Sequence, residues 1–86
     1  MHTAIIQIRG NLKNDKLTEV FKILKDYKLI KNREGYDFYS KNINKARKDS
    51  AKISKMFNVP FNQSTKYKGM INGKHAYNFF FSIKIP

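Results

Sequence analysis

Apolar and polar residues alternate through residues 2–9, "HTAIIQIR", with His2, Ala4, Ile6 and Ile8 on one side, which predicts a strand with one apolar face. Gly10 ends it. Leu17, Val20, Phe21 and Leu24 then recur at i, i+3, i+4 and i+7, the spacing of one helix face, and Asn14 or Asp15 stands where a cap is needed. This helix runs out near Tyr27, and "NREG" at 32–35 reads as a turn into the strand "YDFYS", with Leu29 and Ile30 expected as a short strand pairing back across it. A second helix is predicted in "NINKARKDSAKISKMF". There Ile43, Ala46, Ser50, Ile53 and Phe57 fall in one narrow arc, while Lys45, Lys48, Lys52 and Lys55 repeat the spacing on roughly the opposite side. Asn58 can adopt the left-handed conformation that ends a helix, and Pro60 prevents its continuation.

The rest of the chain is a hairpin around Asn72-Gly73. In its second strand His75, Tyr77, Phe79, Phe81, Ile83 and Ile85 share one face, which must be the core face. Lys74, Ala76, Asn78, Phe80, Ser82 and Lys84 share the other. A two-residue Asn-Gly loop would set Lys66 opposite Phe79 and Lys68 opposite Tyr77, driving two lysines into the core. A three-residue loop, Ile71-Asn72-Gly73, sets Tyr67 opposite Tyr77 and Thr65 opposite Phe79 and sends every lysine outward. Because a one-residue slip flips a whole strand, burial favours the second register, with Gly73 left-handed in a bulged turn. It places Gly69 and Ile71 on the core side and Met70 outside. The expected fold is therefore α+β: a small mixed sheet of four to five strands, two amphipathic helices on one face, order β-α-β-α-β-β, closing in a C-terminal β-hairpin, all in a single domain over residues 1–86.

Charge changes the picture from fold to partner. The 86 residues hold 18 Lys plus Arg against 6 Asp plus Glu, a formal charge of +12. The acids are Asp15, Glu19, Asp26, Glu34, Asp37 and Asp49, so no acid follows residue 49. Such a field concentrates polyanions around the molecule. Lysine-rich usage alone can reflect an AT-rich genome, but it does not account for the missing acids. The hairpin's outer face adds one ring, Phe80, to a field of Lys66, Lys68, Lys74, Lys84 and Asn78. That ring either packs beneath a loop or stacks on a base while lysines hold phosphates; Tyr39 is a second candidate for stacking. The candidate RNA contacts are thus Lys45, Lys48, Lys52, Lys55, Lys66, Lys68, Lys74, Asn78, Phe80 and Lys84.

Catalytic patterns do not emerge. His2 and His75 are the only histidines, and both fall on apolar strand faces, where packing is the more ordinary role. With no cysteine, disulfides and thiolate zinc sites are excluded, and no metal or other cofactor is expected. No apolar run approaches the length of a membrane span, and the first ten residues are too polar for a secretory leader, so a cytoplasmic protein without a membrane partner is expected. The reading is of a non-enzymatic RNA-binding protein. Its alternatives are a small basic toxin-like ribonuclease, which needs little more than a base, an acid and a cation, and a phage or plasmid DNA-binding protein.

"GYDFYS", "AKISKMF", "STKYKGMINGKHAY" and "SIKIP" follow one another as in the archaeal Nmd-three family, and the chain resembles one module of those proteins from "AIIQIRG" to Pro86. Gly35, Asp37 and Tyr39, then Ser64, Lys66 and Gly69, then Gly73, Lys74 and Tyr77 match its steps. Lys84 stands where the family usually has arginine, and Asn58 where it often has glycine. The resemblance implies a large-subunit ribosome-biogenesis context and a fold similar to the eukaryotic large-subunit ribosomal protein twenty-two, a small basic RNA binder. The family's paired CxxC zinc motifs have no counterpart here. What carries over is the RNA-binding module, acting as a ribosomal protein or ribosome-associated factor whose partners are structured RNA, large-subunit ribosomal RNA above all, and neighbouring ribosomal proteins.

Overall fold

The computed structural model describes residues 2–86. The chain runs β1 (Thr3–Gly10), α1 (Leu17–Ile23), β2 (Lys28–Asn32), β3 (Gly35–Ser40), α2 (Ile43–Phe57), β4 (Phe61–Ile71) and β5 (Lys74–Ile85). The five strands form one mixed sheet in the order β2-β3-β1-β5-β4. The α+β architecture and the terminal hairpin are as the sequence predicts, and the short strand around Leu29 and Ile30 is real, extending over β2 and pairing antiparallel with β3. β1 lies at the centre, antiparallel to β3 and parallel to β5.

Both helices cover one face. Ala4, Ile6, Ile8, Phe38, Phe81, Ile83 and Ile85 project from the sheet into the apolar seams of α1 (Leu17, Val20, then Leu24) and α2 (Ala46, Ile53, Phe57). Each large side chain so enclosed contributes about 1.5–3 kcal/mol relative to exposure. α2 forms as its pattern dictates. The Asn42 side chain accepts the Lys45 N–H at 3.0 Å, closing the N-terminus, and Asn58 ends the helix with φ 54°. α1 begins differently from expectation: its N-cap is Lys16, without a side-chain cap, and Asn14 Oδ1 instead accepts the Lys16 N–H at 3.0 Å. A polar knot joins the two helical segments. The Tyr27 hydroxyl donates to Asp49 Oδ2 at 2.8 Å, Lys45 Nζ reaches the same oxygen at 3.0 Å, and that ammonium lies 4.6 Å from the Tyr27 ring centroid. Burial pushes the Tyr27 pKa well above its ordinary value, and the hydrogen bond to Asp49 and its charge push it the same way.

The hairpin corrects one expectation. Through the body of the strands the register is the predicted one, with Thr65 opposite Phe79 and Tyr67 opposite Tyr77. The loop, however, is the two-residue Asn72-Gly73 turn that burial had argued against, with φ 54° and 76° at its two residues, the signs a type I′ turn requires. A bulge reconciles the two. Between Tyr67 and Gly69 the register shifts by one residue, so Gly69 faces Ala76, Met70 faces His75 and Ile71 faces Lys74. Gly69 sits there at φ 122°, a conformation that side chains rarely adopt. Beyond the bulge the faces swap: Ile71 lies with Lys74 on the helix-free side, and Met70 lies with His75 on the helix side.

Candidate nucleic-acid interface

The sheet face opposite the helices is uncovered, and its pairings define transverse rows. One row runs Lys28, Tyr39, Ile5, Phe80, Ser64 across all five strands. The next runs Thr3, Asn78, Lys66. Within the first row Ile5 is only 5% exposed, although no helix lies over it. Its cross-strand neighbours on either side are the rings of Tyr39 and Phe80, both half-buried. The face thus carries a low apolar ridge rather than one isolated ring. Phe80 is half-buried, and Lys66 Nζ stands 5.8 Å from its centroid, within cation–π range.

Polar groups surround the ridge. Lys68, in the bulge, donates to the Thr3 hydroxyl at 3.2 Å and so leans over the sheet. The side-chain oxygen of Asn78, between Thr3 and Lys66, is enclosed without a hydrogen-bond partner. Lys84 is exposed at one end of β5 and Lys74 at the other. Four of the six acids are ion-paired, and one of them, Asp37, lies on this same open face, opposite Gln7 in the row beside the ridge. Arg9 holds Asp37 at 2.8 Å and Glu34 at 3.7 Å, with Asn32 donating to Asp37 at 2.9 Å; Lys22 pairs with Glu19 and Lys45 with Asp49. Among the described residues Lys48, Lys52, Lys55, Lys66, Lys68, Lys74 and Lys84 make no ion pair.

The ten predicted contacts therefore separate into two groups on opposite faces. Lys66, Lys68, Asn78, Phe80 and Lys84 share the open sheet face, with Lys74 at its tip. Lys48, Lys52 and Lys55 line the solvent side of α2, behind the sheet, beside a shallow groove floored by Ala51, Val59 and Phe61. Lys45, which spacing places in that stripe, is turned aside into the Tyr27–Asp49 knot. The histidines depart from the packed role expected of them. Both are exposed: His2 accepts the Tyr77 N–H at 3.1 Å with its ring against Tyr77 and Phe79, and His75 hydrogen-bonds with the Tyr67 hydroxyl at 3.0 Å. Ile5 is the member of the site that alternation misses. Its signal is the unbroken "AII" run, which marks a strand apolar on both faces.

In sequence, residues 1–85 match the family described as NMD3, second domain. The chain belongs to this family. Among curated proteins none matches it. The match takes in every element of this NMD3-family domain, the ridge row and both lysine groups included. The family is ribosome-associated, and no helix among the described residues is long and apolar enough to cross a membrane.

Proposed function

We propose that the protein binds structured ribosomal RNA of the large subunit, without catalysing a reaction on it, in the cytoplasm. The observation that carries this reading is the open sheet face itself: two rings flanking Ile5, a lysine within cation–π range of one ring, further lysines that make no ion pair, and the acid of the neighbouring row, Asp37, already held by Arg9. Flat apolar surface among cations and amides is what a base and its phosphates require together. Membership of a ribosome-associated family supports ribosomal RNA as the target. The groups that could serve a ribonuclease are otherwise occupied, since Asp37 is fixed by Arg9 and Asn32, and the histidines are held by tyrosines and the backbone of the hairpin. Co-sedimentation with purified large subunits over a salt series tests the proposal. With about six phosphate contacts, log affinity should fall with log salt at a slope near −4 to −5. Salt-independent retention would indicate a protein contact, and RNA cleavage by sub-stoichiometric protein would replace the reading with an enzymatic one.

A further inference from the structure

On the helix side the apolar cluster ends at Phe79, yet the hairpin continues past it to the Asn72-Gly73 turn, with the buried Ala76 facing the other way. On the helix side of this overhang four side chains stand in a two-by-two array, Tyr67 opposite Tyr77 and Met70 opposite His75. They are uncovered: Tyr67 is 55% exposed, Met70 60%, His75 is exposed and Tyr77 half-buried. Three of them, the rings, are held against one another. The Tyr67 ring meets Tyr77 edge-on at 5.4 Å and lies 5.6 Å from the His75 ring, to which its hydroxyl is bonded. His2 backs Tyr77 at 5.5 Å.

Exposed rings already held against one another suit a partner with flat apolar faces, since less side-chain freedom remains to be lost on binding. The charge around them selects which partner. The same arm carries Lys66, Lys68 and Lys74 and no acid, which complements a polyanion. We infer that the helix-side face of the hairpin tip is a second nucleobase site, distinct from the ridge on the opposite face, which takes unpaired bases of single-stranded RNA on Tyr67 with Met70 beside it. The lysines on the reverse side hold flanking phosphates, so the hairpin acts as a wedge with RNA on both surfaces. This inference rests on the RNA-binding reading, but it makes a separate demand: a contribution from Tyr67 to single-strand binding.

The test uses a short single-stranded RNA carrying one 2-aminopurine, whose fluorescence falls on stacking, titrated with the intact chain. Tyr67→Leu should weaken binding roughly tenfold or more and abolish the fluorescence change, as expected for loss of one stacking ring. Tyr67→Phe, which keeps the ring and loses only the bond to His75, should stay within a few-fold of the unaltered protein. Because Tyr67 is exposed, melting temperatures of both variants should be nearly unchanged. If Lys66→Glu with Lys68→Glu weakens RNA binding while Tyr67→Leu does not, the second site is overturned and the RNA-binding function stands. If the unaltered protein binds neither this RNA nor ribosomal RNA, both fall. Self-association of the free protein that Tyr67→Leu abolishes, measured by sedimentation, would assign the patch to a protein contact and also overturn the inference.

Discussion

Removing the Phe80 ring separates a packing role from a recognition role, because the structure gives the ring some of each. Phe80 is half-buried and stands beside Ile5 across the β1–β5 pairing, so Phe80→Ala should cost about half the 3–5 kcal/mol of a fully enclosed phenylalanine, or ~2 kcal/mol. For a domain of this size that lowers the melting temperature by roughly 10 °C. Stacking on a base adds an independent loss of about 1–3 kcal/mol in binding, a factor of roughly 5 to 150. Phe80→Leu divides the two effects. Leucine keeps an apolar side chain beside Ile5 and should cost about 1 kcal/mol of stability, but it offers no flat face and no partner for the Lys66 ammonium, so most of the binding loss should remain. Fluorescence anisotropy with a labelled ribosomal RNA fragment, at a temperature where every variant is folded, reads the affinity, and thermal melting reads the stability. If both variants melt lower but bind as tightly as the unaltered protein, the ridge is structural and the base-stacking argument is wrong.

Other expectations follow from the same geometry. Lys66→Glu with Lys68→Glu should weaken RNA binding more than Lys48→Glu with Lys52→Glu and should flatten the salt slope by about 2; equal losses from the two pairs would mean that a diffuse field, not the sheet face, binds RNA. Tyr27→Phe should remove about 1 kcal/mol at neutral pH. Because burial raises the Tyr27 pKa in the folded state, its contribution is intact below the unfolded value of about 10 and is lost as pH rises beyond it. The difference between the unaltered protein and Tyr27→Phe should therefore diminish in alkaline denaturant titrations, and a constant difference would show that the hydroxyl is not held as described. Gly73→Val should destabilise the fold by about 1 kcal/mol or more and Gly73→Asn by less, since the space around Gly73 is open and only its positive φ resists a side chain; equal melting of both variants with the unaltered protein would count against the type I′ turn.

α2 was legible in the chain because everything that shapes it is local: its seam, its left-handed Asn58 and its Pro60. The hairpin was legible only in part, since two sound local arguments conflicted. Burial demanded Tyr67 opposite Tyr77, and Asn72-Gly73 demanded a two-residue turn. Both are satisfied by one extra residue at Lys68, and nothing in a period-two pattern announces a bulge apart from Gly69. The exposure of Tyr67 and Met70 had a cue of a different kind. The 15 residues of α2 cover about 22 Å, whereas the 12 of β5 reach about 40 Å, so the hairpin must outrun its cover. The diversion of Lys45 had one cue in its own helix, Asp49 four residues on; what the helix could not announce is Tyr27, which arrives from another element to bond the same carboxylate. The split of the lysines between two faces likewise depends on which side of the sheet α2 packs.

The parallel pairing of β1 with β5 carries a kinetic consequence. The central strand of the sheet joins segments from opposite ends of the sequence, so one of its edges stays without a partner until the hairpin arrives. The hairpin, closed by a tight turn, is local and can form early. Its docking onto β1 closes the longest loop in the fold and should limit the folding rate. A chain waiting at that step exposes "AIIQI" along an open edge, a segment prone to pairing with other chains. The fold is therefore most vulnerable to aggregation before the two ends of the chain have met.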